Sequence, residues 1–501
     1  GDDDDVIEGE YGNNQLFGDA GNDTITGGDG DELLDGGTGN DTLSGINGAD
    51  TLKGGEGDDN LYGYNSSGLG STTTYLADTD MLEGGPGNDN LQGGFGDDVY
   101  LFNLGDGQDI ISDGLSASSN YMASFFRYQG NEIIQFGEGI VVEDLAFSFV
   151  GTDLVIAINN STDQITIKYW LDVQATYENR NRFKVQFSDD SVQEIKALVE
   201  TTITSLSHGG TSETDNLFGL NVIDVMNGLA GADVLYGFAG EDVLSGGDDN
   251  DKLYGGDDND ILNGGNGTDT LYGEDGNDQM NGDAGSDTLY GGNGDDVIHG
   301  GDDDDVIEGE YGNNQLFGDA GNDTITGGDG NELLDGGTGN DTLSGINGAD
   351  ILKGGEGDDN LYGYNSGGLG STTTYLADTD TLEGGPGNDN LLGGFGDDVY
   401  LFNLGDGQDI ITDGFPATST YIYKFFNLQG VETIQFGEGI VAENLAFSFV
   451  GTDLVIAINN STDQITVKYW LDVYGIYENR KRFKIQFSDG SIALTTDLVT
   501  L

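Results

Sequence analysis

From Gly210 to Tyr362 the chain repeats every nine residues without a break, giving 17 units in one phase. Position 1 is Gly in all 17, position 8 is Leu, Ile or Met in all 17, and position 6 is Asp in 15. Position 4 is Gly in 12 units and Asp at 249, 258 and 303. Asp is one of the few residues besides Gly that tolerates a left-handed backbone. Repeats come first in reading such a chain, because a unit this short buries its one apolar side chain only by stacking on its neighbours. A twelve-residue interruption, GYNSGGLGSTTT from Gly363, precedes three more nonapeptides that end in GGFGDDVYL at Leu401. The same array, truncated at its start, occupies residues 1–101.

A second period of 300 residues contains the first, since residues 1–198 realign on 301–498. The copies differ at six positions over residues 1–114 and at eleven over 115–133. Each unit therefore holds an array and a different segment of roughly 100 residues. That segment reads as short β-branched and aromatic strands separated by Gly-Thr-Asp, Asn-Asn and Ser-Asp turns. The organisation expected is an array over 1–101, a β domain over 102–200, a linker over 201–209, a second array over 210–401 with an inserted loop at 363–374, and a second β domain over 402–501.

With 92 acidic and 15 basic residues the formal net charge is −77. Self-repulsion on that scale opposes compaction unless cations offset it. The sign argues against nucleic acid, whose phosphates require clustered Lys and Arg, and against anionic membrane surfaces. No cysteine is present, so disulfides, thiolate metal sites and thiol catalysis are excluded. No stretch is long and apolar enough to span a bilayer, and no signal segment opens the chain. The first residues read as the middle of a repeat, which implies a piece of a longer protein.

In the nine-residue unit, six residues rich in Gly and Asp are expected to form a turn, and three centred on position 8 a short strand. Glycine permits the tight path and lets carbonyls point inward. Two units then make a flattened coil of 18 residues, with the aliphatic side chains stacked inside and the position-6 carboxylates aligned along each edge. Such rows suit a hard divalent cation between coils, because calcium takes 6–8 oxygen ligands. The candidate ligands are Asp5, Asp23, Asp41, Asp50, Asp59, Asp80, Asp89 and Asp98 in the first array. In the second they are Asp233, Asp242, Asp251, Asp260, Asp269, Asp278, Asp287, Asp296, Asp305, Asp323, Asp341, Asp350, Asp359, Asp380, Asp389 and Asp398. A merely solvated acidic surface would scatter its acids, and disorder conflicts with an apolar residue at every position 8. One edge runs without a gap from Asp215 to Asp359 in steps of 18; the other carries Asn314 and Glu332 where Asp is expected, as do Asn14 and Glu32 in the first copy. Calcium is expected to be weakened there. Seventeen units make about eight and a half coils; at ~4.8 Å per coil the uninterrupted array is roughly 40 Å long. The expected whole is a rod of alternating modules. Its strand edges need covers, assigned to 202–227 and to the β domain.

GGNGTDTLY at 264–272, GGTGNDTLS at 336–344 and GGEGDDNLY at 354–362 resemble the repeats-in-toxin (RTX) nonapeptide, Gly-Gly-x-Gly-x-Asp-x-apolar-x. The resemblance covers about three fifths of the chain. It implies an all-β fold, a right-handed parallel β-roll in which turn aspartates and backbone carbonyls hold calcium between successive coils on one side. The units at 210–218 and 219–227 depart from the pattern, with Glu213 and Val222 at position 4, which suggests a cap without good metal sites. FNLGDGQDII at 102–111, FGEGIVVEDL at 136–145, GTDLVIAI at 151–158, ITIKYW at 165–170 and RFKVQFSDDSV at 182–192 are similar to the β domain that often follows such rolls.

No His-Glu-x-x-His and no Gly-x-Ser-x-Gly occurs, so the zinc-protease ligands and the lipase nucleophile of RTX exoenzymes are missing. His208 and His299 read as surface residues, and Trp170 and Trp470 as core. Arg180, Arg182 and Lys184, with Arg480, Lys481, Arg482 and Lys484, read either as ordinary surface or, less favoured, as a basic face docking on an acidic roll. A non-enzymatic, calcium-folded segment of a secreted structural protein is expected, such as a filament, surface layer or adhesin stalk. Its partners would be calcium ions, further copies of the same unit and a cell-surface carbohydrate. The rival reading is the calcium-triggered secretion and folding module of a larger toxin or exoenzyme. The resemblance implies that the chain stays unfolded where calcium is scarce, passes a type I secretion channel, and folds outside as weak sites fill at roughly 10⁻⁴–10⁻³ M.

Overall fold

The computed structural model describes residues 1–64, 78–94, 96–112, 130–171, 173–174, 177–178, 181–364, 378–413, 430–474, 477–478 and 481–499. The inserted loop from residue 365 onward, the variable 115–128 stretch, Arg180 and Arg480 lie outside them. The chain divides into two compact units, one formed mainly by 1–208 and one mainly by 219–501.

Within each unit the array is a parallel β-solenoid. Position 8 supplies its core: Leu235, Leu244, Leu253, Leu262, Leu271 and Leu289 are all 0% exposed. Each pairs with the residue 18 positions on, as in Leu253 with Leu271 and Leu271 with Leu289. Alternate strands therefore feed alternate sheets, and the apolar side chains of both sheets meet in one narrow interior.

The strands are longer than the three residues expected. Thr270–Asp275 is typical: it takes positions 7 to 9 of one repeat and positions 1 to 3 of the next. The glycines extend the strand because their bare backbones keep pairing with the neighbouring coil, as Gly256 does with Glu274 and Glu274 with Gly292. Only positions 4 to 6 turn. Asp249, Asp258 and Asp303 take the position-4 glycine's place with φ of 78°, 80° and 78°, the left-handed conformation anticipated for them.

Outside the core, position 9 forms its own stack where it is aromatic. The rings of Tyr236, Tyr254, Tyr272 and Tyr290 lie parallel at successive centroid distances of 4.7, 4.8 and 5.0 Å. His299 continues this habit on the other sheet, stacked 4.6 Å from Phe317 with Nδ1 2.8 Å from Asp319. It is a partly exposed residue, as its sequence context indicated.

The segments after each array are continuous with it. In the second unit, Val399–Phe402 pairs in parallel with Thr433–Phe436, which pairs in parallel with Lys484–Gln486. Gln408–Ile411 pairs in parallel with Gln464–Val467. Each sheet then turns antiparallel, through Asp453–Ile458 and Leu445–Val450 on one side and Ile492–Leu494 on the other. The first unit repeats this arrangement. Trp170 and Trp470 are buried, at 0% and 1% exposure, each against a phenylalanine of the outermost strand.

Candidate metal sites along the coil edges

Each turn places the position-6 aspartate back under its own coil. Asp269 shows the arrangement. Its Oδ1 accepts the backbone N–H of Asp251 at 2.7 Å, and its own N–H donates to Asp287 Oδ1 at 2.7 Å. The residue is 1% exposed, and its Oδ2 has no hydrogen-bond partner. That oxygen explains the invariant glycine at position 1. A Cβ on Gly264 would lie 2.5 Å from Asp269 Oδ2 and 2.8 Å from the Gly282 carbonyl oxygen. At position 4, a Cβ on Gly276 would lie 1.9 Å from the Asp258 carbonyl and 2.8 Å from Asp278 Oδ1. Carboxylate and carbonyl oxygens thus converge around bare α-carbons, from one coil and the next.

The bonds form two ladders per unit. In the second unit one runs from Asp215 through Asp233, Asp251, Asp269, Asp287, Asp305, Asp323, Asp341, Asp359 and Asp389 to Asp409. The other links Asp224, Asp242, Asp260, Asp278, Asp296 and Asn314, then Glu332, Asp350, Asp380, Asp398 and Glu432. Both cross the interruption at 363–374 in register, because 30 residues there replace the usual 18. In the first unit the ladders join Asp5, Asp23, Asp41, Asp59, Asp89 and Asp109, and Glu32, Asp50, Asp80, Asp98 and Glu132. Asp5 is the most exposed of these candidates, with Oδ2 2.9 Å from the Gly1 amine.

Asp109, Asp409, Glu132 and Glu432 are ladder members that the nonapeptide pattern did not reveal. A shorter signal was there. GQDII at 107–111 and GNEII at 130–134 keep glycine at position 4, an acid at position 6 and an apolar residue at position 8. At the other end, the two units with Glu213 and Val222 at position 4 bring donors of their own to the Oδ2 atoms of their acids. Asp215 Oδ2 accepts from the Thr211 N–H at 2.6 Å and hydroxyl at 2.9 Å, and Asp224 Oδ2 accepts from the Leu220 N–H at 2.6 Å.

Burial raises these carboxyl groups, the desolvation of the charged form being the leading cause. Asp242, Asp251, Asp296, Asp305 and Asp323 are pushed up to about 7, Asp260 and Asp287 to about 8, and Asp80 and Asp380 to about 9. Backbone N–H donation works in the opposite direction in each case but does not offset burial. Acids whose folded pKa lies above the unfolded value stabilise the metal-free coil below about 4 and lose that contribution as pH rises through about 7 to 9. In excess chelator the protein is therefore expected to hold more β structure at pH 5 than at pH 8. Far-UV circular dichroism at the two pH values checks this, and equal spectra would contradict it.

A buried, negatively charged oxygen without a donor is a costly group. Rows of them beside inward carbonyls fit a hard cation with oxygen ligands. Among the described residues, no helix is long and apolar enough to cross a membrane.

A parallel solenoid edged by buried acid ladders defines a class of metal-dependent repeat proteins. The chain belongs to the RTX calcium-binding nonapeptide repeat family, whose model matches 1–66, 76–111, 218–366 and 376–412 in overlapping segments, more than half of the chain. Residues 153–191 and 453–493 match the haemolysin-type calcium binding protein related domain. It is thus a tandem-repeat protein that binds calcium at multiple sites. No curated protein matches it.

Proposed function

We propose that the chain is a calcium-folded structural segment of a secreted, extracellular protein, with the position-6 aspartates named above as its calcium ligands. The observation that carries the ligand assignment is the run of buried Oδ2 atoms without donors, from Asp233 to Asp305 along one ladder and Asp242 to Asp296 along the other. The structural role rests on duplication. Array and terminal strands recur together after 300 residues, with only six differences over residues 1–114, which suits a spacer or a polymer subunit, whereas catalysis requires only one active site. Electron microscopy of the calcium-loaded protein at high concentration tests it. Regular fibres or lattices are expected, and dispersed particles across calcium and protein concentrations would remove the structural reading. Self-association through further copies of the unit and capture of a surface carbohydrate belong to this proposal, as does secretion in the unfolded state. So does the absence of enzymatic activity.

The ladder ends unequally at one place. Asn314 is 1% exposed and its Oδ1 accepts the Asp296 N–H at 2.9 Å, so it mimics the aspartate on that side. Its amide Nδ2, however, stands against Gly309, where a carboxylate Oδ2 stands in other repeats. In the first copy the equivalent Asn14 Nδ2 donates to the Gly9 and Gly12 carbonyls at 3.1 and 2.8 Å. Asn314 Nδ2 itself is buried without a hydrogen-bond partner, and in either copy an amide nitrogen there is a donor with no lone pair to offer a cation. Among the described residues no rung joins Asn314 to Glu332, whose carboxylate stays beside Gly327 and Gly330 of its own repeat. Asn314→Asp is expected to add one calcium ion per chain, counted by native mass spectrometry. An unchanged count would show that Asn314 is not what leaves this rung weak.

A further inference from the structure

The second ladder of the second unit ends in a cluster that no nonapeptide predicts. Asp398, Asp413 and Glu432 each offer a carboxylate oxygen within 4.8 Å of the others. All three are buried, at 0%, 3% and 0% exposure. Asp398 belongs to the last nonapeptide, Asp413 follows the strand Gln408–Ile411, and Glu432 leads into Thr433–Phe436. Among the described residues, one cation reaches them. Arg482, 5% exposed, donates to Asp413 Oδ2 at 3.1 Å, to the Asp413 carbonyl and to Glu432 Oε1. Its burial removes Arg482 from any docking face and makes it a structural cation; Arg182, paired with Glu132 in the first unit, is buried likewise.

The charges do not balance. Fully ionised, the three carboxylates beside one guanidinium would carry two uncompensated negative charges in a buried site, which is costly without a cation. Part of the donor capacity is already fixed: Asp398 Oδ1 accepts the Asp380 N–H at 3.0 Å, Glu432 Oε2 the Asp398 N–H at 3.0 Å, and Asp413 Oδ1 the Gly394 N–H at 3.1 Å. Asp398 Oδ2 is left buried with no partner at all. A fully buried acid of the cluster thus carries an oxygen without a donor, a costly group that a hard cation would satisfy.

We propose that Asp398, Asp413 and Glu432 bind one further divalent cation, a hard ion of calcium's class, with Arg482 as the permanent positive charge of the site. It differs from the ladder positions in kind. There, ligands come from successive turns of one motif; here a single motif aspartate is joined by two acids and a base from outside the repeats. Filling it ties the last nonapeptide to the segments that follow Gln408–Ile411 and precede Thr433–Phe436 and, through Arg482, to the approach to Lys484–Gln486. The same Asp, Glu and Arg recur as Asp98, Glu132 and Arg182, with Asp113 of that copy outside the described residues. The proposal rests on the calcium-folded reading above but does not follow from it.

Crystals of the full chain grown in calcium, measured for anomalous scattering of that metal, separate the two. A peak about 2.3–2.6 Å from oxygens of Asp398, Asp413 and Glu432 is expected. Peaks along the ladders with none at the cluster would overturn this site and leave the ladder assignment standing. No peak anywhere would overturn both. In solution, Asp413→Asn, confirmed as folded by circular dichroism, should bind one calcium fewer by native mass spectrometry; an unchanged count would overturn the site.

Discussion

Excess chelator at neutral pH is expected to abolish the β signal of the whole chain, and returned calcium to restore it. The reason is the buried ladder. Each position-6 acid is desolvated, and from Asp233 to Asp305 each keeps one oxygen without a donor. Neighbouring acids lie one coil apart and raise one another further, as Asp242 and Asp278 do at Asp260. A ligand that binds only the folded state stabilises it by about 1.4 kcal/mol for each tenfold excess over its Kd. Ten or more such sites therefore contribute on the order of 10 kcal/mol, comparable to the whole stability of a typical domain. Circular dichroism against free calcium should show a steep, cooperative transition. Asp269→Ala should move its midpoint to higher calcium, whereas His299→Ala, altering a partly exposed side chain away from the ladder, should not. Chelated spectra identical to the loaded ones would remove calcium from the folding reaction and leave the acids as a merely solvated surface.

The second large effect is expected from Leu271→Ala in the calcium-loaded protein. Leu271 is fully buried between Leu253 and Leu289 on its own sheet. A cavity at such a site costs about 2–5 kcal/mol, with the larger values where the surroundings cannot collapse. Collapse is difficult here. Two residues on, Gly273 is so close to the next coil that a Cβ there would lie 2.5 Å from the Gly291 carbonyl oxygen, and strand pairing holds the coil spacing on both sides. Because each repeat touches only its neighbours, the loss should appear as local opening around residues 253–289 before the array melts. Hydrogen exchange followed by mass spectrometry reads this directly. Uniform protection along the array, with a midpoint unchanged from the parent, would show that the leucine stack is not what holds the coils.

The sequence alone determined the period, and with it most of the architecture. An apolar residue at every position 8 requires stacking, and two units per coil is the arrangement that returns Leu253, Leu271 and Leu289 to one line. The alignment of Asp269 and its equivalents along one edge was legible for the same reason, since their spacing matches that of the leucines, whereas their burial was not. Tertiary structure decided what lies between the periodic positions. The strands run to six residues because Gly256 and Gly265 pair with their neighbours, a property of coils in contact that no single nonapeptide contains. It also decided where the ladders end. Asp409 and Glu432 take the next rungs although 20 and 34 residues separate them from the acids they follow. Chain separation does not matter to a ladder whose register is set by strand pairing. Arg482 illustrates the same limit: in sequence it is one base among Arg480, Lys481 and Lys484, and only the folding of Lys484–Gln486 onto Thr433–Phe436 carries it into the interior. Local pattern specified which side chains must be buried, while the pairing of distant strands chose the partners they meet there.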